Sequence, residues 1–338
     1  MDKEKILNVD GSVYIPMEDR YGEESVVFFT RDLSAAGLQK IFRRVGHVLE
    51  GKICVKVHTG EKNGPNIIPC TWIAELFKNE LPDATIVETN TLYDGDRYTT
   101  ERHRETLEVN GWTFSPVDIL DSDGTVMLPV KGGKWFTEMS MGKNITNYDS
   151  LFTLTHFKGH TNGGFGGSAK NLGIGIADGQ IGKDMIHRDP ETGKKWMATA
   201  DIFMERMIES TKAVVDFFGE KNCYVNVMRN MSVSCDCEGL KARPVVTPNV
   251  GICASLDIVA VDQACVDLIY ALSPEDRHAM QERIETRHGH RQLSYMQELG
   301  MGNRRYKLVD IDNDDALITA AEAVKDVKPF DRDSKKAK

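Results

Sequence analysis

Short apolar runs alternate with amphipathic stretches along the first third of the chain, and this alternation restricts the fold more than any other feature. Residues 25–29 (Ser-Val-Val-Phe-Phe) read as a strand, and 38–49 carry apolar side chains at Leu38, Ile41, Phe42, Val45 and Val48, a helical period. A strand at 52–58, a helix at 71–81, a strand at 84–90 and a helix at 101–110 closed by Gly111 follow. Strands separated by helices of this length pair in parallel through right-handed crossovers. The second half adds a strand at 151–156, a long helix at 198–218, a strand at 223–228 and a helix at 257–272 that Ser255 or Asp257 can cap. A polar helical stretch at 277–299, a short strand at 306–309 and a last helix at 314–327 complete the pattern. The expected fold class is α/β, a mostly parallel sheet with helices on both faces. The weakly periodic stretch 121–143 marks where two lobes would divide, an α/β lobe over 1–130 and a second over 131–330. Residues 331–338 lack core-forming side chains and are expected to be a mobile tail.

Charge and cysteine usage narrow the function. The 338 residues carry 42 Lys plus Arg against 51 Asp plus Glu, a net charge of -9. The one dense basic run is the terminal 335–338, so nucleic acid is not an expected partner. The opening Met-Asp-Lys-Glu-Lys is not a secretory signal, and no run of about 18 uncharged apolar residues occurs, so no membrane association and a cytoplasmic location are expected. Seven irregularly spaced cysteines point to free thiols or metal ligands rather than a disulfide framework. Cys54, Cys223, Cys253 and Cys265 sit in apolar contexts and are assigned to packing.

In an open parallel sheet, ligands gather beyond the carboxyl ends of the strands. Here those positions hold His58 to Glu61, Glu88 to Asn90, His156 to His160 and Cys235 to Cys237. The segment 156–175 combines His156, His160, Lys158 and Lys170 with a run of glycines. Gly163, Gly164, Gly166 and Gly167, followed by Lys170 and Asn171, read as a loop whose exposed amides and lysine would cradle an anionic cofactor or substrate, with Arg97 as a second clamp. The loop lacks the Gly-Lys-Ser/Thr ending of a Walker loop and the full dinucleotide fingerprint. Lys170 can also serve as a desolvated base. His156 and His160, four residues apart, can share a ligand, and Cys235 and Cys237 offer thiolates from one loop, so these four are the candidate metal ligands, for iron-sulfur, iron, zinc or nickel. His103 is placed as a proton-exchanging group beside Arg97. His187, in a polar turn, and His278, His288 and His290, in a charged helical stretch, are expected at the surface.

Taken together, segments 55–61, 87–90, 156–160, 164–172, 235–237 and 251–264 resemble a bacterial and archaeal family, domain-of-unknown-function family 362, whose members are often called uncharacterised Fe-S centre proteins. Many relatives carry a ferredoxin insert after the glycine-rich segment, with cysteines spaced C-x2-C-x2-C-x3-C-P. This chain has no cysteine between Gly175 and Ile202, so it is identified as a short form, in which any cluster would rest on Cys235 and Cys237. A fainter resemblance, to nickel-pincer lactate racemases, lies in the order of His160, Gly166, Gly167 and Lys170. It implies a lysine that tethers a cofactor, His103 and His160 as an acid/base pair on a 2-hydroxy acid, and His187 near a nickel-binding position. Three functions follow: a metal- or cofactor-dependent redox protein, with a redox partner protein, that binds an anionic small molecule; a racemase-like proton-transfer enzyme; and a non-catalytic binding protein.

Overall fold

The computed structural model describes residues 11–196 and 198–331. The charged first five residues and positions 332–338 of the tail, on which two expectations rest, lie outside them. The strands are β1 (Glu24–Thr30), β2 (Ile53–Val57), β3 (Thr85–Glu88), β4 (Val117–Ile119), β5 (Thr125–Pro129), β6 (Glu138–Gly142), β7 (Ser150–His156), β8 (Lys158–His160), β9 (Gly164–Gly166), β10 (Asn222–Met228), β11 (Gly251–Ser255), β12 (Arg305–Asp310) and β13 (Ala316–Ile318). The α-helices are α1 (Ala35–Val45), α2 (Cys70–Glu80), α3 (Thr100–Val109), α4 (Ser168–Gly175), α5 (Gly182–His187), α6 (Ala200–Phe218), α7 (Ile258–Ala271), α8 (Pro274–Thr286), α9 (His290–Glu298) and α10 (Ala320–Val324).

Among the described residues, nine strands form one sheet in the order β13-β12-β1-β11-β10-β7-β2-β3-β4. Pairing is parallel from β10 through β7, β2 and β3 to β4, and between β1 and β12. β11 runs antiparallel to both β1 and β10, with Ala254 opposite Phe28 and Val225. The fold is α/β with a mostly parallel sheet, as the alternation implies. Both faces are covered, which is what lets a parallel sheet carry apolar residues on both sides. On one face Leu38, Ile41 and Phe42 of α1 and Ile73 and Leu76 of α2 pack on Val55, Val57, Phe152 and Leu154. On the other, Leu172 of α4, Met204 and Met207 of α6 and Val261 and Ala264 of α7 pack on Cys54, Leu151 and Cys253. Stretch 121–143, where the sequence suggested a division, forms the β5-β6 hairpin and its flanks, and strands from either side of it pair in the one sheet, β2 with β7.

Three local differences from the sequence reading have physical causes. Residues 277–299 are two helices, because His288 takes a left-handed backbone (φ 54°) and Gly289 follows before α9 begins. Residues 314–327 start with a turn, where Asp314 and Asp315 have φ 47° and 59°, then pair as β13 before α10 begins at a Thr319/Glu322 capping box. The third lies in the glycine-rich segment, where 168–175 is helical. The carboxylate of Asp262, on α7, accepts from the amide nitrogens of Ser168 (2.7 Å) and Ala169 (2.9 Å), and from Asn226 Nδ2 (2.7 Å). A Cβ on Gly167 would lie 2.3 Å from Asp262 Oδ1, so only glycine lets the chain come this close. Two amides of the loop expected to cradle a bound anion, those of Ser168 and Ala169, are thus taken by the protein's own carboxylate.

Asp257 caps α7 through Val259 and Ala260, as expected. All seven cysteines are free thiols, and among the described residues no helix is long and apolar enough to cross a membrane.

Replacing Asp262 by alanine strands the Ser168 and Ala169 amides and the Asn226 side chain in the core. A loss of about 3 kcal/mol in unfolding free energy is expected from urea titration; a loss below about 1 kcal/mol would mean these donors have other partners.

Candidate functional site

A cavity of about 370 Å³ opens beyond the carboxyl ends of β2, β3 and β7. Here β3 and β4 build outward from β2 on one side and β7 and β10 on the other, a topological switch that leaves a crevice between diverging connections. Each strand delivers polar groups to it: Lys56 and His58 from β2 and its end, Glu88 from the end of β3, and His156, Lys158 and His160 from β7 and β8.

Buried cations dominate the walls. Lys56, 1% exposed, pairs with Glu88 Oε2 at 2.9 Å and donates to Asn171 Oδ1 at 3.0 Å. A Cβ on Gly175 would lie 2.2 Å from Lys56 Cε, so that glycine makes room for the lysine under α4. Asn171 is oriented in turn by Nδ2 donation to Leu154 O (3.1 Å) and Thr155 Oγ1 (3.0 Å). Glu88 also accepts from the Thr59 amide (2.9 Å) and lies 3.5 Å from His58 Nδ1 and 3.8 Å from Arg97 NH1. Burial alone would raise its carboxyl, but Lys56, His58 and Arg97 outweigh burial and hold it well below the ordinary value. Arg97 is clamped by Glu61 through Nε (2.9 Å) and NH2 (2.7 Å). Lys183 donates to Thr89 Oγ1, Asn90 O and Ala177 O, all uncharged acceptors, and burial pushes it down to about 8.

The Cys-Asp-Cys turn is built locally as a capping box. Cys235 Sγ accepts from the Cys237 amide at 3.3 Å, and the Glu238 side chain returns to the Cys235 amide at 3.2 Å. Asp236 anchors the turn, accepting from His156 Nδ1 (2.8 Å) and Lys158 Nζ (3.1 Å). The two thiols then meet His160, one ligand atom from each of the three lying within 4.8 Å of the others. Lys170, on α4, reaches Cys235 Sγ at 3.6 Å. A hydrogen bond from Cys237 and the Lys170 ammonium hold the Cys235 thiol well below its ordinary value, against the effect of burial. Burial of Lys170 is likewise outweighed, chiefly by Cys235, which keeps it protonated.

The structure therefore brings together His160, Lys170, Cys235, Cys237, Arg97, Gly166, Gly167 and Asn171 around one cavity. Other expected residues lie elsewhere or are otherwise engaged. His156 lines the cavity, but its ring donates through Nδ1 to Asp236 and through Nε2 to Arg229 O (2.6 Å), which leaves no lone pair for a metal. Gly163 ends the turn between β8 and β9 and Gly164 opens β9 against Ile284 and Gly289; neither lines the cavity. His103 is not a lining residue either; it is fully buried, with Nδ1 3.2 Å from Asn90 Oδ1. Two histidines expected at the surface are buried: His187, in the cavity wall, and His290, against Tyr14 and Tyr270. Lys56 and Lys183 were missed; a lysine between valines in a strand covered on both faces, as in Val55-Lys56-Val57, was the available signal.

Two thiols and an imidazole are the donor set of zinc and iron sites, so this group can hold a metal ion. Gly163 N donates to His160 Nδ1 (2.8 Å), which leaves the proton of the neutral ring on Nε2; a metal held by this ring displaces one or the other.

Burial pushes His103 from 6.5 down to about 3. The unfolded chain therefore takes up the proton first, and stability falls as pH drops below about 6.5. Unfolding free energies of His103→Asn between pH 6.5 and 4.5 should fall less steeply than wild type, by up to about 1.4 kcal/mol per pH unit; identical slopes would place the wild-type ring in water.

Among solved structures, the lactate racemase apoprotein from Thermoanaerobacterium thermosaccharolyticum is 13% identical, with 93% of this chain and 88% of that one covered and a TM-score of 0.39. A protein from Thermotoga maritima is 12% identical, with 75% and 57% covered and a TM-score of 0.40. No curated protein matches the sequence. Residues 53–267, more than half of the chain, match a domain of unknown function, DUF362. That span runs from Ile53 at the start of β2 through the glycine-rich segment and the Cys-Asp-Cys turn to α7, and the chain belongs to the DUF362 family.

Proposed function

We propose that this protein is a metal-dependent redox enzyme whose metal is held by Cys235, Cys237 and His160 and whose substrate is an anionic small molecule bound by Lys170 and Arg97. The observation that carries this reading is the meeting of two thiols and an imidazole within 4.8 Å on the wall of a cation-rich cavity. A thiolate-bound transition metal supplies electron transfer or Lewis acidity when present.

The chain's own groups do the rest. Lys170 donates to Cys235 Sγ, so an occupied sulfur leaves the ammonium free to turn to an anion. Arg97, which lines the cavity, is held by Glu61 through two of its nitrogens, and the third, NH1, lies 3.8 Å from Glu88 Oε1. Neither cation depends on the Ser168 and Ala169 amides, which Asp262 occupies. A proton-transfer reaction that used His103 and His160 together would need both rings at the substrate, and only His160 lines the cavity.

Anaerobically purified protein loaded with ferrous, zinc or nickel ion should retain about one metal per chain by elemental analysis, with a reversible absorption change on reduction if the ion is redox-active. Cys235→Ser and Cys237→Ser should each weaken retention more than tenfold. Failure of all three ions to bind, or full retention in both variants, would overturn the proposal. Ligand-induced thermal stabilisation without turnover would favour the binding-protein reading instead.

A further inference from the structure

The cavity lining is not all cationic. It also includes the side chains of Ile174, Leu92, Tyr93, His187 and Trp196. Trp196 lies on the connection between α5 and α6, 46% exposed, with a left-handed backbone (φ 64°) unusual for a bulky side chain. Its ring is 4.7 Å from that of His187 at 58°, and His187 is 5.1 Å from Phe203, whose ring lies 6.3 Å from His160 and nearly parallel to it (13°). A row of rings thus runs from Trp196 to His160, the imidazole of the thiol group.

His187 is fixed within this row. Its Nδ1 donates to Lys183 O at 2.7 Å, and burial holds the ring neutral, with its value pushed down to about 4. His187 and Trp196 are therefore uncharged, flat-faced parts of a lining that also carries Lys56, Lys170, Lys183 and Arg97. A purely aliphatic anion would use the cations alone and leave the half-exposed Trp196 face in water. A ring on the same anion would cover it, and aromatic pairing adds to the area buried.

We infer that the half-exposed Trp196 face is a subsite for a planar aromatic ring, so that the ligand of this cavity is an aromatic carboxylate, stacked on Trp196 with its carboxylate toward Lys170. The inference rests on the anion-binding reading of the cavity and adds the chemical class of the anion. It does not depend on a metal being present. Substrate selection then resides in the α5-α6 connection, outside the thiol group.

Benzoate and cyclohexanecarboxylate, alike in charge and similar in size, are the probes. Their dissociation constants on the full-length protein are measured by calorimetry, for wild type, Trp196→Phe and Trp196→Ala, and metal content is recorded for each preparation. Wild type and Trp196→Phe should bind benzoate about five-fold more tightly than cyclohexanecarboxylate, and Trp196→Ala should lose that preference while keeping its metal content. Equal affinities on wild type, a preference that survives in Trp196→Ala, or no binding of either acid would overturn the inference. Loss of anion binding with the metal retained, or of the metal with anion preference retained, separates failure of this inference from failure of the metal assignment.

Discussion

Lys56 and Glu88 form an ion pair with both side chains 1% exposed, and the rest of the site is arranged around the need to compensate buried charge of this kind. Neither group could be ionised there alone, since desolvation costs several kcal/mol per ion and is repaid only by close, well-bonded partners. Glu88 is consequently shared among Lys56, the Thr59 amide, His58 and Arg97, Glu61 takes the other side of Arg97, and Asp236 serves His156 and Lys158. Two lysines of the cavity lack a bonded carboxylate: Lys183 donates only to uncharged acceptors, and Lys170 donates to a thiol sulfur, so the charge of Lys170 is compensated by the very group proposed to bind metal.

The glycine-rich segment acquires a different meaning in this light. A helix amino terminus attracts anions because its first amides lack partners, and at α4 that attraction is satisfied internally by Asp262. The glycines let backbone and charged side chains approach closely, Gly167 toward Asp262 and Gly175 toward Lys56, and so build the floor beneath the cavity. In the proposed function, recognition of the anion rests on the Lys170 and Arg97 side chains.

Much of the fold was legible because strands and helices of the first half carry clean periodicity: Leu38, Ile41, Phe42 and Val45 of α1 are all buried, as a helical stripe requires. Periodicity showed neither β11 nor its direction. Residues 251–255, to which the sequence reading assigns no strand, are buried along their whole length and carry no local mark of running antiparallel between β1 and β10. Helix α4 was hidden by its own glycines, whose low helix propensity is overridden by packing against α6. In the site, Cys235, Cys237, His160 and Lys170 could be singled out by chemistry and strand-end position. His156 and His103 could not be told from them, because what distinguishes them is the bonding of their ring nitrogens, to Asp236 and Arg229 in one case and to Asn90 in the other. Lysines in strands usually mark a solvent face, which is why Lys56 passed unnoticed until both faces of β2 were seen to be covered.

The central claim is that both thiols and His160 converge on one ion. X-ray absorption at the zinc edge of the zinc-loaded protein tests it most directly. The account predicts a first shell with two sulfur scatterers at about 2.3 Å and a nitrogen contribution at about 2.0–2.1 Å. A shell made only of nitrogen and oxygen would contradict it.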